Sequence, residues 1–186
     1  MADISDRTVA ILATNGFEQS ELESPMKALK DAGATVHVIS PGGGEIRGWS
    51  GDDWGTNVKV DHTLDAVKSA EYDALMLPGG QINPDILRAN PDAVTFVRAF
   101  WDAKKPIGAI CHAPWLLIEA EIIEGRDVTS YHSIRKDVEN AGGRWQDSEV
   151  VCDKGLVTSR SPDDLPAFNA KLIEEIAEGR HRSRAA

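Results

Sequence analysis

Of the two cysteines in the 186-residue chain, Cys111 stands where a thiol can do chemistry. It follows the apolar run at residues 106–110 (PIGAI) and opens the segment CHAPWLLIEA, with Pro114 suited to a first helical turn. A sharp strand-to-helix turn exposes its middle side chain and strains the backbone beneath it. Helix N-terminal N–H groups also favour an anion, which lowers the pKa of a thiol and populates the nucleophilic thiolate. A buried, inert thiol would suit the same position. Cys152, within the apolar stretch EVVC, reads as a core or sheet residue. The two are far apart and lack Cys-x-x-Cys spacing, so neither a disulfide framework nor a structural zinc site is indicated.

Other groups could serve such a thiol. Glu18 follows Asn15-Gly16-Phe17 after the first apolar run. If it faces Cys111, the two acids compete for one negative charge, and a buried, protonated Glu18 could donate to the thiolate. Otherwise it is a solvated acid in the first turn of a helix, as Glu21 and Glu23 are expected to be. His112 adjoins Cys111, though adjacent side chains commonly diverge, and His132 in TSYHSIRKD is a second candidate. His37, His62 and His181 read as structural or solvated, and no spacing of histidines and acids suggests a metal. Gly79-Gly80 brings backbone without side chains, able to approach a substrate and present N–H groups to an oxyanion.

The elements that must position these residues alternate along the chain. Short apolar runs at residues 8–14, 35–40, 73–80 and 106–110 predict buried strands. Residues 18–32, 84–103 (broken near Pro91), 113–120, 133–140 and 163–178 predict helices. Further strands are expected at 127–130, 149–152 and 156–159. Residues 41–55 predict an irregular, glycine-rich excursion, with a small hairpin to 56–60. Strands alternating with helices predict an α/β fold with a mostly parallel sheet covered on both faces, in one domain spanning 1–186 with its core at about 7–178. Asn15–Glu18, Gly79-Gly80 and Cys111-His112 each follow a buried strand, so they emerge on one edge, where ligands bind in such sheets.

Composition narrows the partners. With 41% hydrophobic and 27% charged residues the chain has the make-up of a globular protein. A net charge of −10 opposes binding to nucleic acid. Arg180, Arg182 and Arg184 are a local exception at the end of the chain. No apolar stretch is long enough to cross a bilayer, and the acidic start lacks the pattern of a signal peptide, so a cytoplasmic location is expected.

Four segments in order, NGFEQSEL, YDALMLPGG, KPIGAICHAPWLL and LVTSRSPDDLPAF, resemble the PfpI family of the ThiJ/PfpI superfamily over about residues 7–176. The resemblance implies a flavodoxin-like three-layer α/β/α sandwich, a homodimer or larger homo-oligomer, and no cofactor. It implies Cys111 as nucleophile, Glu18 as its acid partner, and an oxyanion pocket from the N–H groups of Gly80 and His112. In the peptidase-like branch His112 would be the triad histidine, with Asp85 the nearest match to an acid supplied by a neighbouring subunit. The deglycase-like branch points instead to His132. The expected function is a stress-related hydrolase whose Cys111 thiolate attacks a peptide or small-aldehyde carbonyl. The alternative is a non-catalytic stress protein that senses oxidation at Cys111. A glutamine amidotransferase would need a His and Glu two residues apart late in the chain, and no such pair is present.

Overall fold

The computed structural model describes residues 2–181. In chain order the elements are β1 (Thr8–Leu12), β2 (Phe17–Glu18), α1 (Gln19–Asp31), β3 (Thr35–Ser40), β4 (Glu45–Ser50), β5 (Asp53–Lys59), β6 (His62–Thr63), β7 (Ala74–Leu77) and α2 (Ile82–Arg88). There follow α3 (Pro91–Asp102), β8 (Ile107–Ile110), α4 (Pro114–Glu119), β9 (Asp127–Val128), α5 (Arg135–Asn140), β10 (Arg144–Trp145), β11 (Val151–Asp153), β12 (Leu156–Ser159) and α6 (Leu165–Glu178).

Seven strands form the central sheet in the order β11-β12-β8-β7-β1-β3-β6. Its pairings are parallel except that of β11 with β12. β7 and β8 are buried along their whole length, as strands covered on both faces must be. Alternate residues feed two cores. Ala10, Leu12, Leu75 and Leu77 pack with Phe96 and Phe100 of α3 and Leu116 of α4. Val9, Ile11, Ala74 and Met76 pack with Leu22 and Leu29 of α1 and Phe168 and Leu172 of α6. The α/β/α sandwich and its mostly parallel sheet are those expected from the sequence.

The chain runs from β1 outward to β3, then returns to β7 on the other side of β1, so strand order reverses between β1 and β7. That switch point, flanked by β8, is where an open α/β sheet leaves a crevice. The helical segment at 84–103 does break at Pro91, where the Asn90 side chain caps α3 by accepting from the N–H groups of Asp92 and Ala93. The glycine-rich excursion is more regular than expected. β4 and β5 pair as a hairpin that adds to β2, and Trp49 and Trp54 meet across it with ring centroids 5.4 Å apart. Among the described residues no helix is long and apolar enough to cross a membrane. Of the basic terminal cluster, Arg182 and Arg184 lie outside the described residues.

Candidate active site

β8 ends at Ile110, and Cys111 turns the chain with a left-handed φ of 64° before α4 begins at Pro114. That conformation costs an L-residue about 1–2 kcal/mol, so neighbouring bonds must hold it. Cys111 N–H donates to Ser159 O at 3.0 Å, and Cys111 O accepts from Tyr131 N–H at 2.8 Å. β12 and the loop after β9 therefore clamp the turn from both sides. Cys111 is left 6% exposed.

The loop after β7 reaches the thiol because it carries two glycines. A Cβ on Gly79 would lie 2.5 Å from Glu21 Oε2 and 2.6 Å from Cys111 Cβ. Gly80 has φ of 76°, and a Cβ there would lie 2.5 Å from Gly16 O. With no side chain in the way, the backbone N–H groups of Gly80 and His112 come near enough to the Cys111 sulfur to pull its pKa down.

The acid beside the thiol is Glu21, and this corrects the expectation for Glu18. Glu18 ends β2 with an extended backbone, pairs with Trp49, and accepts a bond from Ser20 Oγ at 3.0 Å. α1 starts only at Gln19, and its buried face is Glu21, Leu22, Pro25 and Leu29. Glu21, expected in solvent, is thus fully buried. Its Oε2 accepts from Gly79 N–H at 3.0 Å, and its carboxyl bonds to the Cys111 thiol. Burial, and next the charge of Glu18, push its pKa up to about 8. Its Oε1 is buried without a partner, a smaller penalty for a neutral carboxyl than for a carboxylate.

Burial first, and then the charge of Glu21, push the Cys111 thiol up, while the N–H groups of Gly80 and His112 pull it down. The Glu21 contribution vanishes when Glu21 is neutral. Burial then remains, opposed by the two N–H groups near sulfur.

His112 does not diverge from its neighbour. Its Nδ1 lies 3.1 Å from Cys111 Sγ, and burial, with His132 nearby, holds its pKa down to about 4. Its ring is stacked on Tyr131 with centroids 4.8 Å apart. His132 is exposed and packs on the other partner it shares, the Tyr131 ring, at 4.3 Å. Asp85 is exposed, and its carboxylate is bound to Arg88 at 2.6 Å, an i,i+3 pair along α2. Within this chain it does not join Cys111 and His112. Sequence spacing alone could have found Glu21, because it shares the inward stripe with Leu22, Pro25 and Leu29.

The DJ-1/PfpI family profile matches residues 7–175, and the chain belongs to that family. General stress protein 18 of Bacillus subtilis is 48% identical over 169 residues, 90% of this chain and 96% of that one. Protein/nucleic acid deglycase 2 of Escherichia coli is 46% identical over 169 residues, again 90% of this chain and 96% of that one. The solved structure of Drosophila melanogaster DJ-1beta gives a TM-score of 0.84 at 27% identity, covering 95% of this chain and 91% of that one.

Proposed function

We propose that the chain is a cysteine-dependent enzyme of stress defence that acts on small, reactive aldehydes bearing a second carbonyl, such as methylglyoxal. The observation that supports this reading is the buried Glu21 carboxyl on the Cys111 thiol, with the Gly80 and His112 N–H groups on the same sulfur. Cys111 is the nucleophile, Glu21 the proton donor, and the two N–H groups the oxyanion donors.

The thiolate adds to the aldehyde carbon, and the C=O electron pair moves onto oxygen. Glu21 gives that oxygen its proton, leaving a hemithioacetal and a Glu21 carboxylate. The carboxylate then takes the carbinol C–H proton and returns it to the adjacent carbon through an enediol, while the hydroxyl proton passes from the first oxygen to the second. The resulting thioester is cleaved by water to a 2-hydroxy acid and free thiol. Peptide cleavage fits less well, because a leaving amine needs a protonated histidine. His112 is held neutral, and Asp85 of the same chain binds Arg88 instead. The relatives named as deglycases support the aldehyde reading.

The proposal includes a homodimer or larger homo-oligomer, which would cover Ile82 and Ile86, exposed by 38% and 48% one turn apart on α2. The test is to incubate the purified chain with methylglyoxal and quantify the 2-hydroxy acid. We expect product from the parent chain and none from Cys111→Ser. Peptide hydrolysis by Cys111 without 2-hydroxy acid would overturn the aldehyde reading. Selective oxidation of Cys111 with no turnover of either substrate would favour a sensor.

A further inference from the structure

Both ring nitrogens of His112 are occupied. Nδ1 lies 3.1 Å from Cys111 Sγ, and Nε2 lies 3.2 Å from Ser133 Oγ. The ring plane is fixed as well, stacked on Tyr131 and met edge-on by Trp115 with centroids 5.2 Å apart. Ser133 belongs to the single turn His132–Ile134, anchored beside the site by the Tyr131 N–H bond to Cys111 O. Sulfur, imidazole and hydroxyl thus form one chain that bridges the turn after β8 to the loop after β9.

We propose that Ser133 is the positioning residue for His112, standing at Nε2 where a carboxylate would complete a cysteine–histidine–acid triad. The inference rests on Cys111 being the reactive group. A hydroxyl rotates and carries no charge. It accepts from Nε2–H when Nδ1 accepts from the thiol, and donates to Nε2 when Nδ1–H donates to the thiolate. It therefore supports either neutral tautomer of His112 without favouring the imidazolium, as a carboxylate would. The low pKa of His112 agrees with this.

The titratable and charged neighbours of His112 are few. Cys111 and, through it, Glu21 of α1 face Nδ1, and Tyr131 and His132 flank the ring. Arg88 of α2 lies over Trp115, and Asp137 of α5 accepts from the Trp115 indole N–H, both behind that ring. Among the described residues no carboxylate is hydrogen-bonded to the imidazole.

The test uses the full chain and needs no substrate. It reads the ¹⁵N shifts of the His112 ring and the pH dependence of Cys111 alkylation by iodoacetamide. Ser133→Ala should turn one dominant tautomer into a mixture and change the alkylation rate at neutral pH by about 5-fold, the worth of one neutral hydrogen bond. Ser133→Thr should restore both readouts. Ser133→Asp should raise the His112 titration by about one pH unit or more. In a His112→Gln background, Ser133→Ala should have no further effect on alkylation. An unchanged tautomer in Ser133→Ala, or an alkylation effect that survives His112→Gln, would overturn the proposal. A Cys111 inert to alkylation in the parent chain overturns the enzyme reading instead, and the ¹⁵N shifts still decide for or against Ser133.

Discussion

Cys111 and Cys152 are built from the same pair of groups, a thiol bonded to a glutamate, at different places on one sheet. Their glutamates differ in company. Glu175 has Lys171 Nζ at 2.7 Å from Oε1 and His181 Nε2 at 3.0 Å from Oε2. Glu21 has no cation among its described partners, only the N–H groups of Gly79 and Gly80 and the thiol. The charge of Glu175 repels a thiolate at Cys152. Burial and then that charge push Cys152 up to about 12. At Cys111 the glutamate keeps its proton and can hand it on. The sulfurs differ too, since Cys111 receives N–H bonds from Gly80 and His112, and Cys152 one from Gly155. The cation beside Glu175 and the second N–H donor near Cys111 are thus what separate the two thiols.

The largest expected effect breaks the proton donor. Glu21→Gln keeps the shape and a hydrogen-bond donor but has no proton to transfer, so turnover of methylglyoxal should fall about 10²–10⁴-fold. Alkylation of Cys111 should persist in that variant, as read by mass spectrometry with Cys152 as internal control. Glu175→Gln should leave turnover unchanged. Equal losses from the two substitutions would mean that Glu21 acts through stability alone.

A second prediction sharpens the comparison through pH. Glu21 has a folded-state pKa of about 8 against 4.5 for the free group, so the folded state retains a proton that the unfolded chain loses. Its contribution to stability is present at low pH and is lost as pH rises from about 4.5 to 8. His112, held down to about 4 from 6.5, works the other way and adds stability as pH rises between those values. The two should nearly cancel between about pH 4.5 and 6.5, leaving a decline of at most about 1.4 kcal/mol per pH unit from there to 8. Urea midpoints across this range should lose that decline in Glu21→Gln. In His112→Gln they should instead slope downward from about pH 4.5.

The legible and illegible parts of this site divide by physical range. The sheet and the turn at Cys111 were readable because apolar runs and the residues that end them are local signals. Gly79 and Gly80 stood out for the same reason. The acid was misassigned because its identity depends on helical phase: with α1 starting at Gln19, residue 21 faces inward and residue 18 does not. Asp85 is expected at a neighbouring subunit's site, and within its own chain it binds Arg88 one turn along α2. His181 reads as structural or solvated, and the fold makes it structural, closing back on Glu175 of α6. Ser133 gave no signal, since only the fold brings its hydroxyl to an imidazole 21 residues away in sequence.

The smallest predicted effect comes from removing the cation that separates the two thiols. Lys171→Met leaves the nearly buried Glu175 with the His181 imidazole, 3.0 Å from Oε2, as its remaining side-chain contact in this cluster. Lys171 is 28% exposed, so the loss should be about 1–2 kcal/mol, below the cost of breaking a fully buried pair, and a shift in urea midpoint would show it. Cys152 should gain little reactivity. Glu175 opposes its thiolate and Lys171 favours it, and the substitution removes only the smaller, favourable influence. Its alkylation rate should therefore change by less than about 3-fold, under 1 kcal/mol. Cys152 also lies in a regular strand, without the left-handed turn and paired N–H donors that Cys111 has. If Lys171→Met made Cys152 as reactive as Cys111, charge alone would explain the difference, and the strained turn would lose its part in the mechanism.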